Sequence, residues 1–375
     1  MSGTRLWPMA ALAALALLGS GVRGEEGAAW RSAEPGRVLR LPADHAAHPD
    51  YRIEWWYYTG NLSTRAGRRI GYQLTFFRIG VERAPANPSR WAVRDLYMTH
   101  AALTDGSGRR YVSAEKLSRA GMGWAGAATD RYRVWNEKWT AGLDDAGRHV
   151  LAAASGSPAF SVDLVLEEGK PPALHGEAGF SRKGAQPGNA SHYYSLTRMP
   201  TRGVVTLDNE RHDVAGESWM DHEFGTSFLE PGQLGWDWFS VQLDDGSELM
   251  VYGMRADDGI DPRSSGTIVE ADGRTAALSV ADFVLEPGRA WRSPESGAVY
   301  PVEWRLRVAS RGLDLRVRPL VDAQEMRSRL VAGLAYWEGA IVVTGTKGGR
   351  PIGGRGYLEM TGYGGRPMGQ FLAFE

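Results

Sequence analysis

The feature that most constrains this chain is a two-residue alternation of apolar and polar side chains, which recurs along its length and is broken by Asp-Gly pairs. In Arg69-Ile70-Gly71-Tyr72-Gln73-Leu74-Thr75-Phe76-Phe77, the residues Ile70, Tyr72, Leu74 and Phe76 alternate with Gly71, Gln73 and Thr75. Successive side chains of a strand point to opposite faces, so the run predicts a sheet with one face buried and the other wetted. Asp105-Gly106, Asp245-Gly246 and Asp272-Gly273 each sit between extended runs, where a tight hairpin demands positive φ. The clearest case is Trp236-Asp237-Trp238-Phe239-Ser240-Val241-Gln242-Leu243, the turn Asp244-Asp245-Gly246-Ser247, and Glu248-Leu249-Met250-Val251-Tyr252-Gly253-Met254, which reads as a hairpin. Helical candidates are two short stretches, residues 114–119 and 322–330. The expected fold class is all-β, mainly antiparallel.

At 375 residues the chain is long enough for two domains. Leu229-Glu230-Pro231-Gly232 closes one aromatic block just before the hairpin opens the next, and a Pro-Gly pair is a natural break. The expected division is 25–232 and 233–375. Residues 1–24 read as a secretory signal: Arg5 is followed by an apolar run over 10–18 and the small residues Gly19-Ser20-Gly21. No later stretch is long and apolar enough to span a bilayer as a helix, so the expected location is periplasmic or secreted. The absence of cysteine excludes disulfide frameworks, cysteine zinc sites, iron–sulfur clusters and a thiol nucleophile. Basic and acidic residues number 43 and 44, a balance that gives no field for nucleic acid.

Several catalytic patterns fail on inspection. No G-x-S-x-G is present, and Gly216-Glu217-Ser218-Trp219-Met220 lacks its closing glycine. Gly121-Met122-Gly123-Trp124-Ala125-Gly126 satisfies G-x-G-x-x-G but has no strand–helix–strand context, so it reads as a glycine-rich turn. The remaining chemistry concentrates around Ser191-His192-Tyr193-Tyr194-Ser195 and Ser218-Trp219-Met220-Asp221-His222-Glu223. In an extended strand, Trp219, Asp221 and Glu223 share one face, with Met220 and His222 on the other. Two carboxylates on one buried face repel, so one of them should hold its proton at neutral pH; alternatively both are solvated or paired with arginine. A cation held by His100, His192, His222, Asp221 and Glu223 is a further alternative, although their spacing is not that of a metal motif. In Glu54-Trp55-Trp56-Tyr57-Tyr58, Trp56 and Tyr58 fall on the face of Glu54 and Trp55 and Tyr57 on the opposite one. Such aromatics either line a pocket or form core, and Glu54 must be edge-exposed or paired.

Residues 54–62, 97–105, 192–195, 218–225, 235–252 and Tyr336-Trp337-Glu338-Gly339 together resemble the secreted, AttH-type lipocalin-like family related to carotenoid 1,2-hydratases. The resemblance extends from about Arg40 to the C-terminus. It implies two consecutive lipocalin-like β-barrel domains and a long apolar, lipid- or isoprenoid-like ligand, with no cofactor and no metal. It implies a carrier working with a lipid-type ABC transporter, or a cofactor-independent hydratase or cyclase; a secreted hydrolase is a third reading. For chemistry it singles out Asp221 as proton donor, Trp219 and Tyr194 as aromatic partners, and His192 or Glu223 as the group that holds water. Glu54, Trp56, Tyr58, His100, Trp236 and Trp238 are the expected ligand-binding residues.

Overall fold

A computed structural model describes residues 29–364 apart from 90, 227 and 228; the expected signal segment, 1–24, lies outside the described residues. Within them the chain forms two large antiparallel sheets, with three short 3-10 turns at Ala43–His45, Val280–Asp282 and Ala309–Arg311 as its helical content. No described helix is long and apolar enough to cross a membrane. The all-β, antiparallel expectation holds.

The first sheet has 13 strands, running from Ile53–Thr64 to Glu210–Gly225, and the second has 11, from Gln233–Leu243 to Arg350–Met360. In the first, the opening strand Ile53–Thr64 pairs with Arg69–Gly80 on one side and with Glu210–Gly225 on the other. The sheet then curls until its two ends approach, where the Asn136 amide donates to the Tyr97 carbonyl and the Thr99 hydroxyl, each at 3.1 Å. This nearly closed barrel is consistent with the lipocalin-like expectation. Its interior is filled by Trp56, Tyr58, Tyr72, Leu74, Phe76, Leu164, Met220 and their neighbours. Each large apolar side chain removed from water there contributes roughly 1.5–3 kcal/mol, which makes the barrel interior a packed core. The second sheet wraps an independent core containing Phe239, Val241, Leu249, Leu306, Ile341 and Leu358.

The two sheets dock through the outer faces of their strands. Tyr57, Tyr193 and Trp219 of the first meet Trp238, Met250, Tyr252, Ala340 and Tyr357 of the second. Asn61 donates to the Gly356 carbonyl at 3.0 Å, and Gln242 to the carbonyls of Thr197 at 2.8 Å and Ser218 at 3.0 Å. Gly71 permits the approach, because a Cβ there would lie 2.6 Å from the Ala340 Cβ and 2.8 Å from the Tyr357 hydroxyl. Docking overturns the expectation that one strand face is wetted: Gln73 and Thr75 are as deeply buried as their apolar neighbours.

Hairpins fall where the Asp-Gly pairs predict. Gly246 and Gly273 take φ of +81° and +86°, whereas after Asp105 the left-handed residue is Arg109, at +49°. The glycine-rich run 121–126 is a turn bridged between Gly121 and Ala125. Both helical expectations fail. Residues 114–119 belong to the strand Arg110–Arg119, paired with Asp95–Asp105, and 322–330 contain the short strand Glu325–Arg327, paired with Ala335–Lys347. These are half-buried pieces whose weak alternation resembles a helical pattern, and hairpin pairing overrides their local propensity.

Candidate functional site

The strand Glu210–Gly225 lies between Ile53–Thr64 and Ala190–Leu207, and its register decides which side chains meet. Asp221 is opposite Tyr57 on one neighbour and Ser195 on the other, and Glu223 is opposite Trp55 and Tyr193. Cross-strand partners share a face, so all six project outward toward the second sheet. The intervening residues project the other way, with His222 opposite Trp56 and Tyr194, and Phe224 opposite Glu54 and His192.

Where the sheets meet they enclose a cavity of about 150 Å³, comparable to one that holds a single benzene-sized ring. The first sheet contributes Trp55, Tyr57, Tyr193, Asp221 and Glu223 to its wall, and the second contributes Trp236, Trp238, Glu338 and Glu359, with His100 and Tyr336 along one side. Asp221 Oδ1 accepts from Trp219 Nε1 at 2.6 Å and from the Ser195 hydroxyl, and Oδ2 accepts from the Tyr193 hydroxyl at 2.7 Å. Trp238 Nε1 in turn donates to the Tyr193 oxygen at 3.1 Å. Burial raises the Asp221 pKa to about 7, outweighing these donors, and the Glu223 charge adds to the rise. Oδ1 has both lone-pair directions filled, which leaves Oδ2, with one donor, as the oxygen able to carry the acid proton. Glu223 takes a different solution, accepting from the Ser191 hydroxyl and lying 3.0 Å from Lys183 Nζ.

The opposite wall carries two more acids. Glu338 and Glu359 are direct cross-strand partners, a placement that disfavours two negative charges. Burial lifts Glu359 to about 7 and Glu338 well above the ordinary range, with the Glu359 charge adding to the latter. Glu359 accepts from Trp236 Nε1 at 2.8 Å, and Glu338 Oε2 from Gln73 at 2.5 Å. The buried Tyr57 hydroxyl lies beside the Glu338 carboxyl and interacts with it, and no other described group holds the Tyr57 hydroxyl or Glu338 Oε1; polar groups so placed at a cavity wall can turn to a ligand or to water.

Of the residues singled out in the sequence, Asp221, Glu223, His100, Trp236 and Trp238 therefore line one cavity, and Trp219 is bonded to Asp221. The others lie on the far side of the sheet. His192 is packed among Tyr51, Phe180 and Phe224, with burial lowering its pKa to about 4. The Tyr194 hydroxyl lies 2.6 Å from His45 Nδ1 and 3.0 Å from His222 Nδ1. Glu54 is paired with Arg78 at 3.1 Å and contacts His48 and His222, which hold it well below the ordinary carboxyl range despite complete burial. Trp56 Nε1 donates to the His45 carbonyl at 2.9 Å, and the Tyr58 hydroxyl contacts that of Tyr132 at 2.6 Å. The cation set drawn from His100, His192, His222, Asp221 and Glu223 does not converge, because the sheet separates its members. The described residues do contain two other groups of possible ligands, His48–Glu54–His222 and His45–His149–Glu168. In the first, the Arg78 guanidinium already supplies the positive charge.

Sequence reasoning missed Tyr193, Ser195, Glu338, Glu359, Lys183 and His175. Glu338 and Glu359 carried a usable signal, a carboxylate inside an aromatic strand. His175 carried none, since it follows a two-residue strand, Ala173–Leu174. Its Nε2 is 2.6 Å from the Ser195 hydroxyl and its Nδ1 is 2.8 Å from that of Thr267, and burial drives its pKa down to about 3. Ser195, His175 and Asp221 thus touch, but in the order histidine–serine–aspartate. A hydrolase triad needs the carboxylate on the imidazole, and Thr267 occupies that position.

Fold and site together define a two-sheet, lipocalin-like protein with a buried acid at the junction of its sheets. The chain belongs to the AttH-like family, whose model matches residues 32–363. It is similar to the crystal structure of an AttH protein from Nitrosomonas europaea, at 37% identity and TM-score 0.80, covering 89% of this chain and 99% of that one. Kievitone hydratase from Nectria haematococca has the same fold at 15% identity and TM-score 0.67, covering 90% and 98%. CghA, solved with Sch210972, also shares it at 14% identity and TM-score 0.52, covering 85% and 90%. No curated protein matches the chain.

Proposed function

We propose that this protein is an acid catalyst of the hydratase–cyclase kind, acting without a cofactor on an alkene carried by an apolar substrate. The observation that carries the reading is Asp221: a carboxyl group with neutral donors only, poised near neutrality and facing an aromatic cavity. The hydratase among its structural relatives lends the reading analogy of fold. In the proposed step the Asp221 Oδ2 proton adds to one alkene carbon, leaving a carbocation on the other. The Trp55, Tyr57 and Trp238 rings offer faces to that cation, each contributing ~1–2 kcal/mol when desolvated. A water oxygen then attacks the cation while the Glu223 carboxylate accepts its proton, so H and OH add across the double bond. An internal hydroxyl in place of water gives a cyclic ether. The cavity holds a ring or one isoprenyl unit, so the rest of a long ligand would extend beyond it.

A carrier is the second reading, favoured by Lys183, whose ammonium lies over the Tyr193 and Tyr252 rings at 4.8 Å and 4.5 Å and would pair with an anionic head group. A lipid-type ABC transporter is the partner proposed under that reading. Under either, export to the periplasm or beyond is proposed from the apolar N-terminal run over 10–18.

The separating experiment incubates the protein in deuterium oxide with a panel of prenylated phenols and polyenes and follows carbon-bound deuterium by mass spectrometry. The enzyme reading predicts incorporation that Asp221→Asn lowers by about 10²–10⁴-fold, with ligand affinity changed only a few-fold. Ligand bound equally by both proteins, with no deuterium incorporated by either, leaves the carrier.

A further inference from the structure

A second polar cluster lies at the end of the first barrel, away from the cavity. His45 closes the 3-10 turn Ala43–His45, His149 begins the strand His149–Gly156, and Glu168 follows the strand Ala159–Leu166. Both imidazoles are fully buried, whereas the Glu168 side chain is 38% exposed. His45 Nε2 is 3.4 Å from Glu168 Oε1, and His149 Nε2 is 3.3 Å from the same oxygen. Ligands on a tetrahedral ion with bonds of about 2.1 Å sit roughly 3.4 Å apart, so both imidazole–carboxylate distances fit one coordination sphere, and all three ligand atoms lie within 4.8 Å of one another.

The surrounding hydrogen bonds assign the tautomer of His45. Glu54, charged and held by Arg78, can only accept, so His222 Nε2 donates to it at 3.0 Å. Burial keeps His222 neutral, which leaves its Nδ1 as an acceptor for the Tyr194 hydroxyl at 3.0 Å. Tyr194 then accepts from His45 Nδ1 at 2.6 Å. On that assignment His45 Nε2 is a buried lone pair without a hydrogen-bond partner, 3.4 Å from a carboxylate oxygen. Two electron-rich atoms at that distance make a contact that a bound cation would relieve. His149 Nε2 lies within hydrogen-bond distance of the same Glu168 oxygen, and its Nδ1 is 2.9 Å from the Tyr58 hydroxyl, a contact of the kind that metal-binding histidines make through their other nitrogen.

We propose that His45 Nε2, His149 Nε2 and Glu168 Oε1 bind a divalent first-row transition ion of the zinc class. Two imidazoles and one carboxylate suit such an ion better than magnesium or calcium, which prefer all-oxygen sites. Three protein ligands leave a fourth position open, on the side where Glu168 reaches solvent. The ion fastens the Ala43–His45 turn across the barrel end, so it stabilises the fold independently of the cavity chemistry.

The test strips the full chain with a chelator, then measures zinc binding by calorimetry and metal stoichiometry, with cobalt(II) absorption reporting the ligand geometry. The expected result is one equivalent bound, the visible spectrum of a tetrahedral site with cobalt, and a metal-dependent rise in melting temperature. Tyr194→Phe, which removes the bond that orients His45, should weaken binding by about 10–100-fold. Glu168→Gln, at a partly exposed position where folding should be retained, should weaken it further. Asp221→Asn should bind zinc as the unaltered protein does, so the outcome is independent of the proposed catalysis. No binding, or equal affinity in the folded Glu168→Gln protein, overturns the site.

Discussion

Glu54 and Asp221 are buried to nearly the same depth on opposite faces of one sheet, yet their charges go opposite ways. Glu54 meets Arg78, His48 and His222 and is held ionised. Asp221 meets Trp219, Tyr193 and Ser195, all neutral donors, and burial prevails. Hydrogen bonds from His222 and His48, joined by the charges of His48 and Arg78, outweigh the loss of hydration at Glu54, whereas the neutral donors around Asp221 do not. The inner face is therefore a place where a buried charge is compensated, and the outer face a place where a buried acid keeps its proton.

Breaking the compensated side should have the largest effect. Arg78→Leu strands the Glu54 carboxylate and its companion Asp95, which Arg78 also holds at 3.0 Å; losing one partner of a buried pair costs about 3–5 kcal/mol, readable in urea unfolding. The uncompensated side predicts the reverse sign and a pH dependence. The folded pKa of Asp221 lies above its unfolded value near 4. Its favourable contribution is complete below pH ~4 and is lost as pH rises through ~7. Asp221→Asn should therefore gain on the unaltered protein as pH climbs from about 4 to 8, followed by thermal unfolding across that range; a constant gap would mean that the group does not titrate there. A smaller effect is expected at the junction itself. Gly71→Ala, whose new methyl group meets Ala340 and Tyr357, should cost about 1–3 kcal/mol and loosen the junction before it disturbs either core, detectable as faster amide exchange confined to the docked faces.

The alternation and the Asp-Gly turns made the sheets legible, and strand parity placed Trp219, Asp221 and Glu223 together. Parity within a strand says nothing about register between strands. Ser195 rather than Tyr194 faces Asp221, so His192 and Tyr194 lie on the opposite side of the sheet from Asp221. Glu54, Trp56 and Tyr58 share a face as expected, but it is the barrel interior, already filled by their own contacts. The cavity could not be read because it forms where two separate sheets dock, bringing Glu338 and Glu359 from late strands against Asp221, and only that docking turns Gln73 and Tyr57 into buried polar groups.

The central claim is that Asp221 holds a proton near neutral pH inside the junction cavity. Carbon-13 labelling of aspartate carboxyls, titrated by NMR and compared with Asp221→Asn to assign the signal, measures this directly. The expected result is a carboxyl titrating at about 7; a signal already ionised by pH ~5, in the ordinary aspartate range, would show that Asp221 is charged at neutral pH and end the proton-donor reading.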